Sequence, residues 1–316
     1  MNLDSPSLSS PSPFSPLTFS IVIPTYNRPR QLAACLESLK ALDYPRDRFE
    51  VVVVDDGSET DLSSVVAPVS DDLDIRLIKQ PNAGPGAARN HGVSCAKGDY
   101  IAFTDDDCIP HPDWLSNIAS HLQKTPDGLV GGHTLNALSH NPYSAASQQL
   151  IDYLYSYFHD RHPQKSIRFF TSNNMGMAKQ TFLTVGGFDT KLRIASEDRE
   201  LCDRWLQRGY PMVYAPEVKI SHAHDLSLRS FWKQHFSYGR GAFYFHTARA
   251  SRAESKIKVE PLSFYLGLLT YPIRQRLGIF QIVLSGLFLV SQVAMTVGFF
   301  WEKSRQSVAP TEAATP

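Results

Sequence analysis

The chain has 316 residues, enough to bury one large core or two small ones. Its 31 Lys and Arg balance its 31 Asp and Glu, so no overall field draws nucleic acid or an anionic surface, and any charge-driven chemistry must be local. Four cysteines, Cys35, Cys95, Cys108 and Cys202, lack CxxC spacing; this excludes a zinc knuckle or a small disulfide framework and fits a reduced, cytosolic setting.

Residues 1–17 are rich in Ser and Pro, with no basic start and no long apolar run, and read as a disordered tail rather than a signal peptide. Strand patterns then alternate with amphipathic stretches. Phe19–Ile23 is a strand, Arg30–Ala41 a helix with Leu32, Cys35, Leu36 and Leu39 at helical spacing, and Glu50–Val54 a second strand. Asp74–Lys79 reads as a third strand, 86–95 as a helix and Tyr100–Phe103 as a fourth strand. This βαβα order predicts an α/β domain with a mostly parallel sheet. The second and fourth strands are continuous apolar runs, as central strands covered on both faces should be.

Polar clusters follow three of these strands: Pro24-Thr25-Tyr26-Asn27-Arg28, Asp55-Asp56-Gly57-Ser58, and Thr104-Asp105-Asp106-Asp107. In open parallel sheets ligands bind beyond the carboxyl ends of strands, so the three clusters point to one cleft. Three successive carboxylates repel one another unless compensated. Asp105-Asp106-Asp107 therefore fits a site for Mg²⁺ or Mn²⁺, or else a turn with a helix cap, since Pro110 and Pro112 follow closely. Asp55-Asp56 fits either a turn or a hydrogen-bonding partner for a nucleotide. The segment 84–90, Gly-Pro-Gly-Ala-Ala-Arg-Asn, opens a helix without the spacing of a dinucleotide fingerprint or a P-loop. Its Arg89 is free to pair with a phosphate, with the Asp-rich loops, or in a surface ion pair.

Further along, Asn173-Asn174-Met175-Gly176-Met177 precedes a helical stretch from Lys179 to Val185, and Gly186-Gly187-Phe188-Asp189 makes a turn. Ser196 is placed to cap a helix carrying Leu201, Trp205 and Leu206 inward. Glu197 and Asp198 at its start suit the helix dipole, or supply a general base for an acceptor hydroxyl. His222 and His224 alternate on a strand from Val218 to Ala223, as structural histidines or as a source of one further metal ligand.

The C-terminal part changes character. Leu277 to Trp301 is 25 residues without a charge, long enough at ~1.5 Å per residue to cross a ~30 Å hydrocarbon layer. Arg249, Arg252, Lys256, Lys258, Arg274 and Arg276 precede it and only Lys303 and Arg305 follow, a bias that places the main body in the cytoplasm of a single-pass inner-membrane protein. Pro261 to Ile273 is apolar but too short to span, and is expected in the interface with Tyr265 and Tyr271 near the headgroups.

In their order, these motifs resemble the family 2 inverting glycosyltransferases over about residues 18 to 245. The resemblance implies a GT-A fold, Rossmann-like, as the catalytic domain 18–245; beyond it, charge and apolar length give a basic membrane-proximal segment 246–276, a transmembrane helix 277–301 and a tail 302–316. It implies a UDP-, GDP- or dTDP-sugar donor, a glycan acceptor, and work in cell-envelope or exopolysaccharide biosynthesis; the apolar anchor adds a lipid-linked acceptor as an expectation. Carried over residue by residue, Thr25 and Asp56 contact the base, Pro24, Tyr26 and Asn27 shape its pocket, and Arg89 is a nucleotide-side contact. Asp105 and Asp107 match the outer carboxylates of the DxD motif. Asp107 is the expected direct metal ligand, Asp105 and Asp106 support it or the ribose, and His224 is a further metal candidate. Asp198 matches the catalytic base, with Glu197 as its alternate. The implied reaction is a single displacement at the anomeric carbon. The QxxRW motif of processive synthases is not matched by the stretch Phe231 to Arg240, so addition of one or a few sugars is expected. Two rival readings are a nucleotidyltransferase, whose Gly-rich first loop is missing here, and a catalytically silent scaffold that binds a nucleotide sugar.

Overall fold

A computed structural model describes residues 16–159, 169–253 and 260–308. Strand β1 (Phe19–Thr25) leads into helix α1 (Pro29–Leu39), then β2 (Phe49–Asp55), the short α2 (Ser63–Val66), β3 (Ile75–Lys79), α3 (Pro85–Cys95) and β4 (Tyr100–Phe103). After these come β5 (Cys108–Pro110), α4 (Trp114–Lys124), β6 (Leu129–Asn136), α5 (Pro142–His159), β7 (Met175–Ala178) and α6 (Lys179–Val185). The chain continues through α7 (Glu197–Gln207), β8 (Met212–His222), α8 (Leu228–Ala253), α9 (Leu262–Gln275) and α10 (Ile279–Val308).

All eight strands form one mixed sheet in the order β3-β2-β1-β4-β7-β6-β8-β5. The first four in chain order run parallel, as the alternating pattern predicts. The second half is mixed: β7 is antiparallel to β4 and β6, while β6 and β8 are parallel. The chain steps outward from β1 to β2 and β3 and then returns to place β4 on the other side of β1, a reversal of strand order that opens a crevice at the carboxyl ends of β1 and β4.

The valine run of β2 is buried throughout because each face of the sheet is covered. Ile21, Ile23, Val51 and Val53 point to one side, against Leu32 and Leu36 of α1 and Trp114 and Ile118 of α4. Val22, Val52 and Val54 point to the other, against Val93 of α3, Phe182 of α6 and Trp205 of α7. Each such side chain contributes roughly 1.5–3 kcal/mol by leaving water, so a strand buried on both faces is held far more firmly than one with a wet side.

A third apolar cluster joins α5, α8, α9 and α10 through Tyr153, Phe231, Phe264, Leu268, Leu284 and Phe288. Three expectations meet a different arrangement here. Tyr271 packs edge-on to Tyr153, ring centroids 5.3 Å apart, inside the helical layer rather than among headgroups. Arg249 and Arg252 are tied to Asp203 and Glu200 on α7, which spends their charge within the protein. Helix α8 runs across residue 245, and α10 continues to Val308, through the start of the stretch read as a tail. The residues expected as tails at 1–15 and 309–316, and Lys256 and Lys258, lie outside the described residues.

Helix α10 touches α8 at two glycines. A Cβ on Gly239 would stand 1.9 Å from the Met295 carbonyl oxygen, and one on Gly298 would stand 2.1 Å from that of Phe236. Beyond the crossing, Glu302 accepts from Arg240 Nε at 2.5 Å and from the Tyr244 hydroxyl at 2.6 Å. One face of α10 is therefore built into the protein. We expect Gly298→Val to force the helices apart, lowering stability by about 2 kcal/mol or more and Tm by roughly 4–8 °C; calorimetry checks this, and an unchanged Tm would show that the crossing tolerates a side chain.

Candidate active site

The ends of β1, β2 and β4 open into a cleft of about 730 Å³, which α5, α7, α8 and α10 close on the far side. Pro24, Thr25, Tyr26, Asp56, Arg89, Asp105, Asp106, Asp107, Glu197, Asp198, His222 and His224 all line it. Asn27 is the one expected site residue that turns away. It takes a left-handed conformation (φ 55°), receives a hydrogen bond from the Glu59 amide and donates its own amide to Ser58 Oγ, so it pins the first strand-end loop to the second.

Asp56 is held in place by the chain around it. Its carboxylate accepts from Gln80 Nε2 at 2.7 Å and from the amides of Ala83 and Gly84 at 2.8 and 2.9 Å. That uses three of roughly four acceptor positions and fixes the loop entering α3. The Thr25 hydroxyl donates to Asp106 Oδ2 at 2.8 Å, while Tyr26, 47% exposed, stands at the cleft mouth.

The acidic run is compensated residue by residue. Arg28 Nη1 reaches Asp106 at 3.1 Å and Asp107 at 2.9 Å. Arg89, buried, reaches Asp105 at 2.6 Å and Glu197 at 3.3 Å, so one guanidinium joins the run to the start of α7. His222 Nε2 lies 3.1 Å from Asp107 Oδ1. Sequence reasoning gave Arg28 no role, although a cation closing the first strand-end cluster was the available signal.

These contacts set the charges. Burial pushes the Asp106 carboxyl up to about 6, with Asp107 and Asp105 adding to the rise against the pull of Arg28. Burial opposes the charge on Asp107 too, but His222 and Arg28 outweigh it and hold that carboxyl down to about 2. On His222 the same pairing overcomes desolvation and raises the imidazole. Burial and the neighbouring His222 lower His224 to about 4. Glu197 and Asp198 are both raised, chiefly by burial.

Ligand atoms of Asp107, Cys108 and His222 lie within 4.8 Å of one another. Burial drives the Cys108 thiol well above its ordinary range, and a soft sulfur ligand suits Mg²⁺ or Mn²⁺ poorly. The remaining carboxylate and imidazole, with Asp105 on the same run, fit a hard divalent cation; the imidazole favours Mn²⁺ over Mg²⁺. His222, not His224, is the histidine at hydrogen-bond distance from Asp107; the His224 ring sits beside it, centroids 5.0 Å apart.

Helix α7 starts at Glu197, and the preceding Ser196 is left-handed (φ 74°) with no side-chain capping bond, unlike the cap the sequence suggests. The Glu197 carboxylate is tied to Arg89, whereas Asp198 accepts from the amide of Arg199 at 2.7 Å and faces the cleft.

Comparison with known proteins gives the site a context. The family model described as Glycosyl transferase family 2 matches residues 20–186. Glycosyltransferase AglE of Haloferax volcanii is 30% identical over 231 residues, covering 70% of this chain and 72% of that protein. The pre-mycofactocin glycosyltransferase of Mycobacterium tuberculosis is 30% identical over 234 residues, 71% of this chain and 46% of its own length. Among solved structures, the mannosyltransferase PcManGT of Pyrobaculum calidifontis, in complex with GDP-Man and Mn²⁺, superposes with a TM-score of 0.65 at 20% identity, over 95% of this chain and 91% of its own.

The Asp107–His222 pair makes a signed prediction for metal-free protein. Asp107 is depressed, so its contribution is present above its ordinary 3.8 and is lost as pH falls toward about 2. His222 is raised, so its contribution is present below its ordinary 6.5 and is lost as pH climbs through the raised value. The pair is strongest between about pH 4 and pH 6.5. His222→Asn should lower Tm most in that window, with the difference shrinking on either side; a difference independent of pH from 4 to 9 would contradict the pairing.

Proposed function

This chain belongs to glycosyl transferase family 2, as a glycosyltransferase of GT-A fold that uses nucleotide sugar donors, and we propose that it moves one sugar at a time to a hydroxyl of a glycan or lipid-linked acceptor, with inversion, in building a cell-envelope or extracellular polysaccharide. The observation that supports this reading is that the acidic run and Asp198 line one cleft, with Arg89 bridging Asp105 to Glu197, the residue before Asp198.

Within the cleft, Asp198 is the group placed to accept the acceptor's proton. Its raised pKa brings a carboxylate nearer the working pH and makes it a stronger base than an exposed one. As the proton moves to Asp198, the acceptor oxygen forms a bond to the anomeric carbon on one face, and the bond to the nucleoside diphosphate breaks on the other. Glu197, neutralised by Arg89, keeps this end of the cleft in place rather than taking the proton. Asp107 and His222, supported by Asp105, would hold Mn²⁺ or Mg²⁺, which would supply positive charge for a diphosphate leaving group. Thr25, Asp56, Pro24 and the exposed ring of Tyr26 form the nucleotide end.

Helix α10 is long and apolar enough to cross a bilayer, with mean hydropathy 2.0 over the most apolar 18 residues of Ile279–Gln306. Its outward residues Ile282, Val283, Leu289, Val293, Val297 and Phe300 are exposed and recur at helical spacing, and Leu262 and Leu266 of α9 are exposed as well. Apolar exposure on this scale suits lipid, so we place this face in the cytoplasmic leaflet of the inner membrane, with the catalytic domain on the cytoplasmic side.

Turnover of a panel of nucleotide sugars, with and without Mn²⁺ or Mg²⁺, tests the mechanism. Asp198→Asn should leave donor binding within about twofold and cut kcat by roughly 10²–10⁴. Asp107→Ala should weaken metal and donor binding together. If wild type and both variants consume donor at one metal-independent rate, the proposal is wrong.

A further inference from the structure

Beyond the acidic run, three residues that line the cleft each carry a buried oxygen with no hydrogen-bond partner among the described residues. Thr134 on β6 and Asn173 in the turn before β7 line the cleft at 6% and 8% exposure. Neither Thr134 Oγ1 nor Asn173 Oδ1 has a hydrogen-bond partner among the described residues. Gln234 Oε1, on α8 across the cleft, is in the same condition, although its amide nitrogen donates to Tyr238 at 2.5 Å. Such groups are rare in folded proteins because a buried, unpaired polar atom has lost water and gained nothing.

The adjacent residue shows what a structural asparagine looks like here. Asn174 accepts from Trp114 Nε1 at 2.9 Å and donates to the carbonyls of Val218 and His133 at 3.1 and 3.3 Å, so both ends of its side chain are engaged. Asn173 has no such duty for its oxygen. The position of Thr134 is equally pointed. It lies two residues from Asn136 and so on the same face of β6, and Asn136 pairs with His222 of β8. The row from His222 through Asn136 to Thr134 leads along the sheet away from the candidate metal site.

All three unmet atoms can accept a hydrogen bond, and two of them are carbonyl oxygens that can only accept. Their complement is a cluster of O–H donors. Beside them, Leu154 and Phe169 offer apolar surface in the same cleft, which matches the other half of a pyranose, whose ring presents C–H groups between its hydroxyls. We propose that Thr134, Asn173 and Gln234 form a subsite that reads the hydroxyls of a sugar ring, and that this subsite sets the enzyme's choice of sugar. The inference rests on the transferase reading above. The ring belongs either to the donor or to the acceptor's terminal residue, and the two sources separate in the test.

Thr134→Val and Asn173→Leu keep the approximate shape and remove the unmet oxygens. The full chain is assayed for Tm, for binding of UDP, GDP, UDP-glucose, UDP-N-acetylglucosamine and GDP-mannose, and for KM toward donor and acceptor. Because no bond within the protein is lost, Tm should stay level or rise, a result that a structural role would not give. KM for one substrate should rise about tenfold for each variant, the scale of one hydrogen bond to a buried partner. If the donor's ring is read, the variants lose the preference for the sugar nucleotide over its bare nucleotide, while UDP and GDP bind as before. If the acceptor's ring is read, donor binding is unchanged and acceptor KM alone rises. KM values within twofold of wild type for both substrates, or activity lost only in step with Tm, would overturn the subsite. A wild-type protein that turns over no donor counts instead against the transferase reading, and the subsite is then judged by the difference in binding between sugar nucleotide and bare nucleotide, an unchanged difference overturning it.

Discussion

The arrangement of this protein depends on the way Arg89 is buried. A guanidinium removed from water is tolerated only when anions surround it, and here those anions are Asp105 at the end of β4 and Glu197 at the start of α7. Removing one partner from a buried ion pair typically costs about 3–5 kcal/mol, since the charge left behind has no water to turn to. The contact therefore fixes the distance between the two acidic ends of the cleft, which come from strands and helices 92 positions apart (Asp105 to Glu197) in the chain. Arg28 and His222 perform the same service for Asp106 and Asp107. Carboxylates that would otherwise repel one another are held close, ready for a divalent cation and a diphosphate.

Much of the first half of the fold was legible because its signals are local. Alternating strand and helix patterns, valine runs without polar interruption and acidic clusters placed just after strands are sequence-near features, and the four parallel strands appear where those patterns place them. The acidic run was legible for the same reason, since it lies directly after β4, whereas Asp198 was singled out only through the family resemblance. The second half was harder. β6 and β7 contain glycine and polar residues and alternate poorly, yet the sheet accepts them because neighbouring strands supply both hydrogen bonds and cover.

What the sequence could not show is who pairs with whom. Asn27 looked like a ligand contact because it sits among residues that face the cleft, but a left-handed turn sends it to the neighbouring loop. His222 and His224 alternate along one face, and only the β5–β8 pairing, which sets Cys108 opposite His222, decides which of them meets Asp107. The unmet oxygens of Thr134 and Asn173 have no sequence signature at all. Helix α10 is the clearest case: composition reads it as a lipid span, and it does present an apolar outer face, yet its inner face packs on α8 and brings Met295 to the cleft wall. Hydropathy records both faces as one, because a core and a bilayer are alike in excluding charge.

The charge-compensation account assigns the cation to Asp107 and His222 at the end of the acidic run. Crystals grown with Mn²⁺ and a nucleoside diphosphate, measured at the manganese absorption edge, locate that ion directly. The account predicts an anomalous peak within bonding distance of Asp107 and the His222 imidazole, with Arg28 released from at least one of its two carboxylates. A peak bound by other residues, or none at saturating Mn²⁺ with nucleotide present, would contradict it.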